Sequence, residues 1–313
     1  MRSAPPVILF AYNRPEHLRR TLQSLLACDG FESSLLTVYC DGPRNAGHQE
    51  AVEAARAVAR DMLGSAADLR LTSVNRGLAA SIIAGVGEAV AQHDRVIVLE
   101  DDFTLASGFL TYMAQALERY AQEPTVFQVS GHAFNVPAFR EHREAHFLPL
   151  TTTWGWGTWG HAWAHFDPAA TGWQQLARDR ALRNRFNLGG VYDYATMLEA
   201  QMAGRRDSWG IRWYWSVFRQ NGLSLFPPQS LVRNTGQDGS GTHGGGFLRK
   251  FSPPGAPQWG GDGGRAPTLP SGPVQVEDAD WHAVRDTIWK QNGGRTGRLV
   301  DFAKRQIRRN GFR

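Results

Sequence analysis

Three consecutive carboxylates, Glu100-Asp101-Asp102, follow the apolar run Val96-Ile97-Val98-Leu99, so a buried strand is expected to deliver concentrated negative charge to one point. Carboxylates this close raise one another's pKa unless a cation or hydrogen bonds compensate them. Mn2+ or Mg2+ would do so, because a hard cation takes oxygen ligands and is held by one or two carboxylates together with substrate phosphates. A solvated acidic turn is the competing reading. Asp207 precedes the aromatic run from Trp209 to Trp215, where partial desolvation would raise its proton affinity and suit a general base, while a helix N-cap role is equally natural. Trp154 and Trp156, beside glycines, could offer flat apolar faces to a sugar ring, with packing beneath a loop as the alternative.

The elements that must position these groups follow from apolar periodicity. Residues 6–12 read as a strand, and Pro15 opens a helix with Leu18, Leu22, Leu25 and Leu26 at helical spacing. Strands over 35–40 and 69–74 alternate with helices over 49–62 and 78–92 and lead into the strand before Glu100. That order predicts an α/β fold with a mostly parallel, doubly wound sheet, whose ligands bind outside the carboxyl ends of the strands. Asn13-Arg14, Asp41, Asn75-Arg76 and Glu100-Asp101-Asp102 would all meet there, although each taken singly is also an ordinary cap or turn residue. Helices over 109–120 and 192–203 and strands over 126–130 and 223–226 are expected beyond. The chain has neither a glycine-rich dinucleotide fingerprint nor a Lys-Ser/Thr P-loop, which disfavours a dehydrogenase or a P-loop NTPase.

Composition sets outer bounds. The 313 residues are 42% hydrophobic and 20% charged, which is ordinary for a soluble globular chain. Two cysteines, Cys28 and Cys40, form no disulfide framework, so a reducing compartment is expected. Neither a signal peptide nor an apolar stretch of spanning length is expected. The formal net charge of +5 is concentrated at the end, where residues 295–313 hold seven basic residues against Asp301 alone. The remainder is close to neutral, which argues against nucleic acid as a partner. Leu299, Val300, Phe302, Ala303 and Ile307 could stripe that basic tail for peripheral contact with an anionic membrane, and a solvated basic end is the alternative. Residues 239–273 contain 17 glycines and prolines, a composition suited to a flexible segment or lid.

The pieces Phe10-Ala11-Tyr12-Asn13-Arg14-Pro15, Cys40-Asp41-Gly42, Val98-Leu99-Glu100-Asp101-Asp102-Phe103 and Arg206-Asp207-Ser208-Trp209 resemble a glycosyltransferase of the GT-A (Rossmann-like) fold. The closer likeness is to the inverting N-acetylglucosaminyltransferase I family and its bacterial relatives, over most of residues 5–245. This resemblance implies a domain over 1–245, with a nucleotide-sugar-binding half over 1–130 and an acceptor-binding half over 131–245. A Gly/Pro-rich flexible segment over 246–273 and C-terminal helices with the basic tail over 274–313 would follow. It implies transfer from a nucleotide-sugar donor, such as a UDP-sugar, to a glycan or glycolipid acceptor. Tyr12, Asn13, Arg14, Asp41, Asn75, Arg76, Glu100 and Asp101 would bind the nucleotide sugar, with Arg14 on the diphosphate and Asp41 on a uracil-like base. Asp102 and His243 would hold Mn2+ or Mg2+, Asp207 would be the base, and Trp154, Trp156 and Trp209 would line the acceptor site. The rivals are a sugar-nucleotide nucleotidyltransferase, which would carry a glycine-rich basic loop after the first strand, and a non-catalytic carbohydrate-binding protein. The charge of the tail, more than the resemblance, leads to the expectation of a cytoplasmic enzyme that is peripheral on the inner face of a bacterial cytoplasmic membrane.

Overall fold

The computed structural model describes residues 4–236, 264–292 and 294. In chain order the first half runs β1 (Val7–Ala11), α1 (Pro15–Leu26), β2 (Leu36–Cys40), α2 (Gln49–Leu63), β3 (Ala67–Leu71), α3 (Leu78–His93), β4 (Arg95–Glu100), β5 (Phe103–Leu105), α4 (Phe109–Arg119) and β6 (Val126–Ser130). The second half runs β7 (His146–Leu148), β8 (Trp156–Trp159), α5 (Gly160–Trp163), α6 (Gln175–Arg178), α7 (Arg180–Phe186), α8 (Tyr194–Met202), α9 (Trp209–Arg219), β9 (Leu223–Phe226), β10 (Val232–Asn234) and α10 (Asp278–Gln291). Eight strands form one sheet in the order β3-β2-β1-β4-β8-β6-β9-β7, and β10 pairs with β5 in a small antiparallel ribbon. The first four strands are mutually parallel. The expected α/β architecture, a mostly parallel central sheet flanked by helices, is therefore present. Among the described residues no helix is long and apolar enough to cross a membrane.

β1 and β4 occupy the centre because they are apolar on both faces, and every residue of β1 is buried. β8 departs from expectation. The Trp-Gly-Thr-Trp segment, read as accessible loop, is a fully buried strand antiparallel to both β4 and β6. Gly157 explains how it fits: a Cβ there would stand 3.0 Å from Leu117 Cδ1, Met113 Cε and Val96 O, so α4 packs onto bare backbone. The tryptophans are core residues. Trp156 packs against Trp163, Trp209 and Trp213 at centroid distances of 6.0, 5.4 and 6.0 Å. Two of the indole donors are satisfied internally, Trp159 Nε1 donating to Leu117 O at 2.9 Å and Trp213 Nε1 to Gln128 Oε1 at 2.8 Å.

Residues 264–273, part of the expected flexible segment, are tied to the body. Gly108 N donates to Gly264 O at 3.0 Å, while Thr268 N donates to Arg143 O and its own carbonyl accepts from Ala145 N, both at 2.9 Å. Glu277 occupies the N-cap position of α10, which docks by burying Val284 and Ile288 while Arg285 Nε donates to Leu188 O at 2.8 Å. The third strand ends at Leu71 instead of Val74, which releases residues 72–77 as a loop at the sheet edge.

A buried histidine, His132, and a half-buried one, His146, make stability pH-dependent. Burial pushes His132 down to about 3 and His146 down to about 4, with His142 adding to the effect on His146. Both folded values lie below the unfolded one near 6.5, so the unfolded chain binds more protons and these groups destabilise the fold progressively as pH falls from about 6.5 towards 4. Each contributes a slope of up to about 1.4 kcal/mol per pH unit in that window. Urea midpoints at pH 7 and pH 5 should show this drop, and His132→Gln should reduce it; an equal drop in the variant would remove His132 as a source.

Candidate active site

The carboxyl ends of β1, β2 and β4 converge because these strands are adjacent and parallel, with Phe10 opposite Glu100 in register. At the centre Asp101 and Asp102 are 3% and 8% exposed. Asp101 is fully engaged, accepting from Tyr12 N at 3.1 Å on Oδ2 and from Arg14 Nη2 on Oδ1. Arg14 also reaches Asp102, with Nη1 3.0 Å from Oδ2. The cation that compensates the acidic run is thus Arg14, the N-cap residue of α1, whose guanidinium pairs with both aspartates. Burial opposes its charge, but Asp101 and then Asp102 outweigh that and raise its pKa.

Thr21 anchors the turn from beneath: its Oγ1 lies 2.8 Å from Asp101 O and 2.7 Å from Phe103 O, and it accepts from Phe103 N at 3.0 Å. Thr235 closes over the top, donating to Asp102 O through N at 2.7 Å and Oγ1 at 2.9 Å. Neither residue stood out in the sequence. Nor did His17, which sits on α1 close enough to Asp102 to favour its ionised form. Gly236 lies against the carboxylate itself: a Cβ there would be 2.1 Å from Asp102 Oδ2 and 2.8 Å from Arg14 Nη1. Gly236→Ala should therefore displace Asp102 and cut activity at least tenfold, about 1.4 kcal/mol of barrier, with an unchanged far-UV spectrum; wild-type turnover would show that the carboxylate's position is not critical.

Burial, reinforced by Asp102 and Asp101, pushes Glu100 up to about 8. Asp102 is raised by burial and by Asp101, with Arg14 pulling the other way. Asp102 Oδ1 is buried and has no hydrogen-bond partner among the described residues. An unpartnered, desolvated carboxylate oxygen beside an otherwise saturated network fits a divalent cation, which needs only one or two protein carboxylates when phosphates complete its shell. Among the described residues no cluster of three or more His, Cys, Asp or Glu side chains forms a closed metal cage. His243 lies outside the described residues.

Asp41 differs from expectation. Its Oδ1 accepts from Gly42 N, Thr72 Oγ1 and Arg76 N, and its Oδ2 from Arg76 N and Gly77 N, at 2.9 to 3.0 Å. Those bonds leave no free carboxylate edge for a base. Asn75 Nδ2 donates to Gly42 O at 2.9 Å, and Arg76 is exposed at the rim. Tyr12 Oη accepts from Arg44 N at 2.9 Å and pairs with His48 Nδ1 at 2.6 Å, tying the loop after β2 to the end of β1; Asn13 beside it is half-buried.

Trp154, Trp156 and Trp209 are 6%, 1% and 5% exposed, so their faces cannot receive a sugar ring, and Trp154 instead packs edge-on to His132 at 4.5 Å. Asp207 is exposed just before α9 and is not enclosed by aromatics as the sequence pattern suggested. Ser208 takes the N-cap position of α9. Gly210, in the first turn of that helix, faces Thr153, and the register Val98↔Trp156 sets residues 153–155 beside the carboxyl end of β4. The helix that follows Asp207 therefore begins near the carboxyl end of β4.

No family model matches the chain. Solved structures to which it is similar include a mannosyltransferase from Pyrobaculum calidifontis in complex with GDP-mannose and Mn2+, with a TM-score of 0.37, 15% identity, and coverage of 71% of this chain and 70% of that one. Another is a mannose-1-phosphate geranyltransferase from Thermus thermophilus, with a TM-score of 0.34, 16% identity, and coverage of 72% and 73%. A third is an active-site mutant of LgtC, with a TM-score of 0.34, 16% identity, and coverage of 55% and 65%.

Proposed function

We propose that the chain is an inverting, metal-dependent glycosyltransferase that moves a sugar from a nucleoside diphosphate donor to an acceptor hydroxyl. The observation that carries this reading is the buried Oδ1 of Asp102 just past the carboxyl end of β4, which has no hydrogen-bond partner among the described residues, in a turn held by Arg14, Thr21 and Thr235. The donor's diphosphate would lie against Asp102, with Arg76 at the rim available to reach phosphate oxygens. A divalent cation bound there supplies charge neutralisation for the departing diphosphate. Glu100, at the end of β4 beside the two aspartates, would meet a ribose or sugar hydroxyl. Asp207 takes the proton of the acceptor hydroxyl as its oxygen bonds to the anomeric carbon; the bond from that carbon to the diphosphate breaks, inverting the centre without a covalent intermediate. Incubation with a panel of nucleotide sugars and Mn2+ tests the proposal by release of free nucleoside diphosphate. No release from any donor, together with no metal-dependent nucleotide binding, would overturn it.

The basic residues of 295–313 support a peripheral attachment to anionic membrane, each contributing about 1 kcal/mol near the surface. Removing residues after 294 should abolish binding to anionic vesicles while leaving transfer to a soluble acceptor unchanged, and added salt should weaken binding of the full chain. Equal vesicle binding by the truncated chain would refute the attachment.

A further inference from the structure

We infer that Arg56, far in sequence from the acidic run, is a positioning residue for the donor pocket, acting through Thr72 and Asp41 to preset the 72–77 loop. This rests on the proposed function, since that loop carries Asn75 and Arg76. Arg56 projects from α2 and is 8% exposed. Its Nη2 donates to Thr72 O and, at 3.4 Å, to Asp41 O, while Nη1 holds Glu53 at 2.8 Å. One guanidinium thus fixes the carbonyls that follow β2 and β3. A buried guanidinium is costly and adds little as mere packing, so what it supplies is this geometry.

The loop could not hold its shape through its own burial, because Ser73, Val74 and Arg76 are exposed, Val74 at 69%. Order comes from the clamp. Thr72 Oγ1 donates to Asp41 Oδ1, Asn75 Nδ2 donates to Gly42 O, and the Asp41 carboxylate receives the amides of Arg76 and Gly77 as α3 begins. An anion at that position also complements the dipole of α3. Gly42 admits the close approach: a Cβ there would be 2.6 Å from Val74 C. A loop ordered in advance spares the donor the entropy of ordering it. Asp41 on this account shapes the pocket and does not select the base.

Two readouts test the clamp, using full-length protein. In Arg56→Met, hydrogen exchange at the Arg76 and Gly77 amides should quicken at least tenfold while amides in the middle of α3 keep their protection. The dissociation constants of UDP and GDP, measured with Mn2+, should rise about tenfold together, with turnover at saturating donor nearly unchanged and with partial recovery in Arg56→Lys. Unchanged exchange, or loss of protection throughout the fold, would overturn the inference. A change in Asp41→Asn confined to one of the two nucleotides would overturn the statement about base selection. If the intact protein bound neither nucleotide, the donor role would fall with the proposed function, and the exchange result would still decide whether Arg56 clamps the loop.

Discussion

Asp102→Ala should lose metal-dependent nucleotide binding and fall in turnover about a thousandfold, equivalent to about 4 kcal/mol of barrier, while melting within a few degrees of the parent. Activity suffers because Oδ1 of Asp102 is the one buried carboxylate oxygen of the acidic run without a partner among the described residues. Stability is spared for the opposite reason. Burial and the neighbouring Asp101 both disfavour ionised Asp102, so its removal relieves repulsion, and Arg14 keeps its bond to Asp101. Titration of UDP and GDP with and without Mn2+, beside a thermal melt, separates the two effects. Wild-type affinity in the presence of Mn2+ would show that Asp102 does not hold the cation. Arg14→Gln provides the contrast, since it would strand two buried carboxylates and should destabilise the fold by about 3 kcal/mol, the usual cost of breaking a buried pair from one side.

That contrast marks where sequence reasoning succeeded and where it stopped. β1 and β4 were legible because strands buried on both faces are written as unbroken apolar runs, and their carboxyl ends could be aligned once the βαβα order was recognised. β8 was not legible. Its glycine is there for the close approach of α4, yet beside tryptophans the same glycine reads as exposure, and the interleaved antiparallel strand leaves no local signature. The small ribbon of β5 and β10 has three residues a side, too few for any periodic signal, although it brings Thr235 onto Asp102.

Site residues divided along the same line. Their arrival on one edge followed from fold class, but what they do to one another did not. Arg14 and Asp101 are separated by 87 positions, and nothing in either segment says that the guanidinium will pair with the carboxylates. Asp41 likewise has the sequence context of a strand-end ligand, and only the path of residues 72–77 shows that five donor contacts already fill its oxygens. Both are outcomes of long-range packing, in which protein donors occupy acceptors that local spacing leaves open.

Asp207→Asn should keep donor affinity near normal and lower turnover by about a hundredfold to ten-thousandfold, the range associated with removing a general base. Asp207 precedes α9, whose first turn packs on Thr153, and among the described residues no hydrogen bond or ion pair joins it to the acidic run, so its loss should leave the donor's surroundings unchanged. Its exposure lets an acceptor hydroxyl approach, and Arg212, whose guanidinium is lowered by burial and raised by Asp207, shows that the carboxylate's field reaches the neighbouring turn of α9. The asparagine keeps size and hydrogen bonding but cannot take the proton, so its effect should fall on turnover at saturating donor and acceptor. Hydrolysis of the donor by water, which needs no acceptor, gives an internal control: a base acting on the acceptor predicts that transfer falls far more than any metal-dependent hydrolysis. A collapse of nucleotide affinity in Asp207→Asn would instead place this carboxylate among the donor's contacts, and unchanged turnover would send the search for the base to another group near the acidic run.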